Sequence, residues 1–164
     1  MKQNKLEKRN LIELIISELN RELDAVTQSA KAAHEAATHE ESKQEDSHDT
    51  RGLEASYLAG AQMSRIEALK KTMTALQFMK VPDFHVTDAI DIGALIDLDS
   101  GGKKIHYFLA SQGGGISVLF NGMKVQVITP QAPLGEALFG RKVGDVIEVE
   151  GQRTSREFEI IGIC

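Results

Sequence analysis

Two long segments of the chain carry apolar residues at the spacing of a helical coiled coil. The apolar positions alternate steps of four and three residues, which is the 3.5-residue repeat of two helices packed side by side. A short polar stretch separates the segments, so the simplest arrangement is an antiparallel hairpin with that stretch at its apex. The seam positions are Ile12, Ile16, Leu19, Leu23, Val26, Ala30, Ala33 and Ala37 in the first segment, and Ala59, Gln62, Ile66, Leu69, Met73 and Leu76 in the second.

The composition of residues 1–80 permits helices of unusual length. This part of the chain has no proline and only two glycines, Gly52 and Gly60. We expect the first helix to begin near Lys5 and to run past Ala37, over roughly 55 Å. The second should begin near Asp49 or the next residue, since Asp and Thr both cap helix N-termini.

The pattern changes to that of strands after Val81-Pro82-Asp83. Proline disfavours helix in the residue before it, so we place a domain boundary here, with a hairpin in residues 1–80 and a second domain in 81–164. Alternating segments predict a small antiparallel sheet of about five strands, and Asn121-Gly122 marks a tight hairpin turn. A short helix ends at Gly140. The fold class is therefore α+β, with candidate strands at 92–98, 103–110, 116–120, 123–128, 146–149 and 158–163 and a helix at 134–139.

Charge and cysteine content narrow the class of protein. The net charge is −5, so bulk attraction to nucleic acid or anionic membranes is not expected. No apolar run approaches the roughly 20 residues of a membrane helix, and the N-terminus lacks the features of a signal peptide. The single cysteine, Cys164, excludes an intrachain disulfide. We expect a cytoplasmic protein.

Acidic side chains are concentrated at the predicted apex, in residues 40–49. A helix N-terminus stabilises some of them, but it does not explain so many together, because like charges repel. Asp46 and Asp49 have the i, i+3 spacing of neighbours on a helix, and Glu54 follows. These three carboxylates are the candidate functional groups of the apex. His48 lies between them, and a solvated histidine is the favoured interpretation there.

The run Thr129-Pro130-Gln131-Ala132-Pro133-Leu134-Gly135-Glu136-Ala137-Leu138-Phe139-Gly140-Arg141-Lys142-Val143-Gly144-Asp145-Val146 resembles the C-terminal domain of the GreA/GreB transcript-cleavage factors. Their pattern there is roughly S-P-L-G-x-A-L-x-G-K-x-x-G-D. The segment 156–163 also looks like the family's last strand. A helical hairpin followed by a small sheet is the family's domain order, so the resemblance covers nearly the whole chain.

The resemblance implies an FKBP-like sheet domain that binds bacterial RNA polymerase. In this family the hairpin enters the secondary channel, where a tip Asp and Glu help to hold a second Mg²⁺ and cut backtracked RNA. The resemblance therefore implies that Asp46, Asp49 and Glu54 are the effector carboxylates, and that Asp46 and Asp49 are ligands of a Mg²⁺ shared with the polymerase, since Mg²⁺ prefers oxygen donors. The factor would then have no cofactor and no enzymatic activity of its own, and it would touch RNA only indirectly. The implied partner-binding residues are Pro133, Leu134, Gly135, Leu138, Gly140, Gly144 and Asp145.

The tip departs from the family pattern, which is approximately D-L-x-E-N-A-E-Y-H. If Tyr57 matches the family tyrosine, the two acid positions fall on Thr50 and Leu53; if Asp49 is matched instead, the partner position falls on Gly52. Three hypotheses therefore stay open. The tip acids are rearranged and still stimulate cleavage, or the protein is a channel-binding regulator or inhibitor without cleavage, or, more remotely, the hairpin is a scaffold for unrelated partners.

Overall fold

The chain begins with two long helices and continues into a sheet with one short helix. The computed structural model describes residues 2–41, 51–151 and 155–164. The helices are α1 (Lys2–Glu41) and α2 (Arg51–Gln77). The elements that follow are β1 (Leu95–Ser100), β2 (Lys103–Leu109), β3 (Ser117–Phe120), β4 (Met123–Ile128), α3 (Pro133–Leu138), β5 (Val146–Glu150) and β6 (Ser155–Ile163). This is the α+β class that the sequence predicts.

The polypeptide divides into two compact units. One, the distal hairpin, comprises Leu19–Met73, and the other, the sheet unit, comprises Met1–Glu18 together with Thr74–Cys164. The boundary at residue 81 was placed where the sequence pattern changes from helical to strand periodicity. The two units are instead defined by which residues pack together. The start of α1 and the end of α2 therefore belong to the sheet unit, and the boundary at residue 81 stays a prediction about sequence organisation.

Within the distal hairpin the two helices run antiparallel. Arg65 Nε donates to Glu22 Oε1 at 3.0 Å, and Gln62 Nε2 donates to Ser29 Oγ at 3.2 Å. Arg65 is later in α2 than Gln62, yet its partner Glu22 is earlier in α1 than Ser29. Later residues of α2 therefore contact earlier residues of α1, so the two helices are antiparallel. The hairpin predicted from the heptad spacing is therefore present in this unit.

The predicted seam is the buried face of both helices. The described seam positions are all buried or half-buried, while the positions between them are mostly exposed. The side chain of Ala37 lies outside the described residues. The fully buried seam residues are Ile12, Leu19, Ala30, Ile66, Leu69 and Leu76.

The start of α1 carries an additional buried stripe that the heptad spacing does not predict. Leu11 and Ile15 are fully buried, and so is Lys8. These positions follow an i, i+3, i+4 pattern, so the apolar face of α1 is wider here than the narrow seam of a coiled coil. A wider face is what a helix needs when it packs inside a globular unit and not only against one partner helix.

Lys8 joins α1 to the segment that follows α2. Its Nζ donates to the carbonyl oxygen of Pro82 and lies 4.8 Å from the centroid of the Phe84 ring. Burial lowers the pKa of Lys8, and the negative charges of Cys164 and Asp83 partly offset that shift. In the sequence Lys8 is one of several basic residues near the start of α1. In the structure its ammonium group contacts Pro82 and Phe84 inside the sheet unit.

The sheet has six strands in the order β3-β4-β2-β1-β6-β5, so each of the six candidate segments forms a strand and the estimate of about five strands was one too low. Four of its pairings are antiparallel, and the pairing of β2 with β4 is parallel. The sheet is therefore mixed, because the chain leaves β2, places β3 at the edge and returns with β4 beside β2. The predicted Asn121-Gly122 turn joins β3 to β4, with φ angles of 49° and 77°.

The apolar core of the sheet unit lies between one sheet face and α3. Leu138 of α3 is fully buried in a cluster that includes residues from five strands. In β1, Ile96 and Leu98 alternate with residues of the other face, as the period of two requires, and a register shift in the β1–β6 pairing accompanies the step from Ile160 to Ile163 in β6. The buried members of the cluster are Ile90, Ala94, Ile96, Leu98, Leu109, Ile128, Leu138, Ile147, Phe158, Ile160 and Ile163.

Candidate functional site

The acidic apex lies between the two described helix ends. Helix α1 ends at Glu41, and α2 begins at Arg51. Asp46 and Asp49 lie outside the described residues. Glu54 belongs to the first turn of α2, with its side chain outside them. The expected roles of these three carboxylates therefore stay predictions.

The Gre-like run begins by building α3. Proline is favoured at the first position of a helix, where no N–H is needed, and Pro133 occupies that position. The preceding residue, Ala132, donates its N–H to Thr129 O at 3.0 Å and provides no side-chain cap. Glu136 lies in the first turn, where the helix dipole stabilises a negative charge. Proline and acid together fix the start of a helix only six residues long.

Gly135 allows α3 to lie directly on the backbone that precedes it. A Cβ at this position would be 2.0 Å from Thr129 O and 2.8 Å from Thr129 C. No real side chain tolerates such distances from backbone atoms, so only glycine fits without movement of the chain. The glycine of the motif is therefore required by packing between α3 and the end of β4.

The loop after α3 is fixed to the sheet by main-chain bonds. Gly140, at φ +77°, donates its N–H to Ile90 O at 2.8 Å, as expected for a glycine that ends a helix. Gly144, at φ +93°, donates to Ile160 O at 2.8 Å. Asp145 Oδ2 accepts from Lys142 N at 3.0 Å and closes the turn between them. The motif therefore forms one rigid surface from Pro133 to β5.

Comparison with known families identifies the domain that carries this motif. The family described as "Transcription elongation factor, GreA/GreB, C-term" matches residues 86–164, which include all six strands and α3. The chain is a Gre-like factor. Its sheet unit carries the C-terminal domain of that family, and the resemblance stated from the motif is confirmed.

Relatives of this Gre-like factor include transcription inhibitors and elongation factors. The transcription inhibitor protein Gfh1 of Thermus aquaticus is 26% identical over 154 residues, which are 92% of this chain and 90% of the relative. Gfh1 of Thermus thermophilus is also 26% identical over 154 residues, which are 92% of this chain and 91% of the relative. The elongation factor GreA of Clostridium perfringens is 30% identical over 80 residues, 47% of this chain and 46% of the relative.

Solved structures of related proteins overlap with the chain over most of its length. The crystal structure of GreA factor homolog 1 (Gfh1) of Thermus thermophilus covers 91% of this chain and 94% of its own, with 23% identity and a TM-score of 0.39. The family assignment rests on the sequence matches and not on this overlap.

The residues predicted to contact a partner are of two kinds in the Gre-like factor. Three of them shape the motif from inside: Gly135 and Leu138 are buried, and Leu134 packs against the core. The others are accessible: Pro133, Gly140 and Gly144 are exposed or half-buried, and Asp145 is in the same accessible loop. Only the accessible four are therefore available for direct contact, whereas the inner three set the shape of the backbone.

Two apolar side chains that the sequence reasoning did not single out flank this loop. Phe139 is 49% exposed at the end of α3, and Val146 is 55% exposed at the start of β5. Exposed large apolar groups beside a rigid loop are typical of protein-binding surfaces. The signal in the sequence was the pair Leu138-Phe139 at a helix end, where only one of the two side chains faces the core.

The Gre-like factor shows no metal centre among its described residues, where no group of three or more His, Cys, Asp or Glu is arranged to hold an ion. The carboxylates of Asp46 and Asp49 are hard oxygen donors that suit Mg²⁺. Two carboxylates do not complete an octahedral shell, so the donor chemistry fits a site shared with a partner.

In the described part of the chain, no helix combines the length and the apolarity that crossing a membrane requires.

Proposed function

We propose that this Gre-like factor binds bacterial RNA polymerase and regulates transcription by inserting the apex of its hairpin into the secondary channel. The sheet unit provides the binding surface, formed by the loop from Gly140 to Asp145 with Phe139 and Val146 beside it. The observation that carries the proposal is the similarity to transcription inhibitors over 92% of the chain, which takes in the hairpin as well as the sheet unit. The factor works in the cytoplasm, where that polymerase is found.

Inhibition without RNA cleavage is the effect that we favour. The relatives that match along the whole chain are named transcription inhibitors. The tip also lacks the acid pair of the cleavage factors, because the corresponding positions fall on Thr50 and Leu53 when Tyr57 is aligned with the family tyrosine. An apex that fills the channel without assisting hydrolysis hinders the movement of substrate and RNA.

Stimulation of cleavage is a second candidate, supported by the carboxylates that are present. Asp46 and Asp49 have the i, i+3 spacing of neighbouring helix positions, and some relatives are elongation factors. When bound, a second Mg²⁺ activates water and stabilises the leaving oxygen. The tip carboxylates would orient this ion within the active centre of the polymerase. The factor itself has no cofactor and no enzymatic activity of its own.

The test uses elongation complexes of the cognate polymerase, both backtracked and active. Wild-type protein is compared with Asp46→Ala, Asp49→Ala and Glu54→Ala, and Ser47→Ala serves as a control at the same apex. Inhibition that weakens in the acid variants, with no shortened RNA, supports the favoured effect. Cleavage that one acid variant abolishes supports the second candidate. Absence of binding to the cognate polymerase would overturn both.

A further inference from the structure

One end of the sheet unit has a cleft with a positively charged lining. This basic cleft has a volume of about 470 Å³ and is lined by Lys103, Lys104, Lys124, Gln126 and Arg156, among others. None of the described residues that line it carries a carboxylate. The whole chain has a net charge of −5. The positive charge of the cleft is therefore a local feature and not a consequence of composition.

The sheet places three of these cations on the same face as the apolar core. Lys103 precedes the partly buried Ile105 by two residues, and Arg156 precedes the core residue Phe158 by two. Residues two apart on a strand share a face. The guanidinium of Arg156 lies 5.9 Å from the centroid of the Phe158 ring, which agrees with this placement. The basic cleft thus begins where the apolar face of the sheet ends.

The cations form a row across several strands. The third of them, Lys124, precedes the core residue Ile128 by four positions on β4, whereas Arg156 is on β6, with β2 and β1 between them. Three strand spacings give a separation of about 14 Å between those two strands. A single phosphate group does not bridge that distance, whereas an extended anion with several charges does. The lysines and the arginine are exposed, so they remain free to follow such an anion.

The charge of His106 is not part of this row. His106 Nδ1 lies 2.7 Å from Asp97 Oδ1 on the neighbouring strand β1. The carboxylate of Asp97 offsets any positive charge on the ring, so Lys103, Lys124 and Arg156 supply the positive charge of the row.

We propose that the basic cleft binds the sugar-phosphate backbone of a single-stranded RNA segment. An RNA backbone requires a row of cations and a few hydrogen-bond donors, which the lysines, Arg156 and the Gln126 amide provide. An acidic peptide would also require apolar anchors, and only Ile105 and Met123 in the cleft lining offer them. This contact goes beyond the proposed function, because it does not depend on polymerase.

The test measures binding of a fluorescently labelled single-stranded RNA oligonucleotide to the full-length protein by anisotropy, without polymerase. Three or four phosphate contacts predict a slope of log affinity against log salt of about −2 to −3. Affinity should therefore fall about 20- to 50-fold between roughly 50 mM and 200 mM salt. Lys103→Gln and Lys124→Gln together should weaken binding and reduce the slope by about 1.4.

Lys71→Gln is the matched control, because Lys71 is an exposed lysine of the other compact unit, the distal hairpin, and does not line the basic cleft. It should retain the affinity and slope of the wild type. Thermal unfolding followed by circular dichroism verifies that each variant is folded, as expected for exposed positions. Equal affinity in the cleft variants and the control would overturn the proposal. So would poly-glutamate competing as well as unlabelled RNA, because the site would then recognise acidic peptide.

Discussion

Replacing Gly135 with alanine tests whether the Gre-like motif is built by close packing of α3 on the chain before it. The new Cβ would be 2.0 Å from Thr129 O, whereas ordinary contacts begin at 3.4 Å. The obstacle is backbone, and it cannot rotate away as a side chain would. The helix and the end of β4 must therefore separate by more than 1 Å at this point.

The magnitude follows from two opposing effects. In an unobstructed helix, glycine-to-alanine is worth about 1 kcal/mol of additional stability. Forcing an extra carbon into a packed site costs about 1–3 kcal/mol, and a backbone obstacle places Gly135→Ala at or above the upper end of that range. We expect a net loss of about 2 kcal/mol, which corresponds to a decrease in Tm of roughly 9 °C for a unit of this size.

The assay uses the scarcity of fluorescent residues in this chain. The sequence has no tryptophan and two tyrosines, Tyr57 and Tyr107. In a Tyr57→Phe background, fluorescence comes from Tyr107, which belongs to the sheet unit together with Gly135. Thermal or urea unfolding followed by this signal then reports on the unit that contains the substitution.

Gly60→Ala is the matched control, because Gly60 is an exposed helical glycine of α2 whose added Cβ would meet nothing within 4 Å. Helical circular dichroism should show this variant unchanged or more stable, by up to about 1 kcal/mol. If Gly135→Ala were instead as stable as the parent, the close approach of α3 to Thr129 would not exist in solution and the reasoning would be refuted.

Three further predictions concern the partner surface, the apex and the buried lysine. Phe139→Ser and Val146→Ser should each weaken polymerase binding about tenfold with little change in Tm. Leu119 is an exposed apolar residue on the edge strand β3, and Leu119→Ser should leave binding unchanged. Equal effects of all three substitutions in a pull-down titration would rule out the loop as the contact. Asp49→Ala should reduce inhibition of transcription in a run-off assay without affecting polymerase binding, and a loss of binding would instead place the apex in the main contact. Burial lowers the pKa of Lys8 in the folded protein below its ordinary value of 10.5. At pH values between the lowered pKa and 10.5 the unfolded chain binds more protons than the folded protein, so the free energy of unfolding rises with pH. Lys8→Met should lack that rise in urea titrations at a series of pH values; the raised pKa of Tyr107 acts in the opposite direction but cancels in the comparison. If the free energies of unfolding of the wild type and of Lys8→Met changed with pH in the same way, this account of Lys8 would be contradicted.

Local sequence patterns predicted most of the fold. The heptad seam identified Leu19, Ile66 and Leu69 as buried, because a repeat of 3.5 residues directly reports which helix face is covered. The Asn121-Gly122 turn was identified because its positive φ angles select for those residue types. The C-terminal motif indicated the family, since its glycines and proline are tied to particular backbone geometry.

Features that depend on distant parts of the chain were not predicted. The parallel pairing of β2 with β4 depends on the path of the connection between them, which periodicity does not encode. Burial of Lys8 depends on the Pro82 carbonyl and the Phe84 ring, more than seventy residues away. The exposure of Phe139 and Val146 was missed because alternation does not distinguish an exposed apolar side chain from a buried one. The roles of Asp46, Asp49 and Glu54 stay predictions.

The position of β6 in the sheet has a consequence for how the protein is made. Strand β6 is the last of the six to be synthesised, yet it lies between β1 and β5, and Ile96 pairs with Ile163. While the chain is still on the ribosome, β1 has one unpaired side and β5 has no neighbour at all. Pairing between such distant segments is slow, and unpaired strand edges are sites of misassembly. The sheet unit therefore folds only after synthesis of β6 is complete, whereas the distal hairpin is able to form earlier.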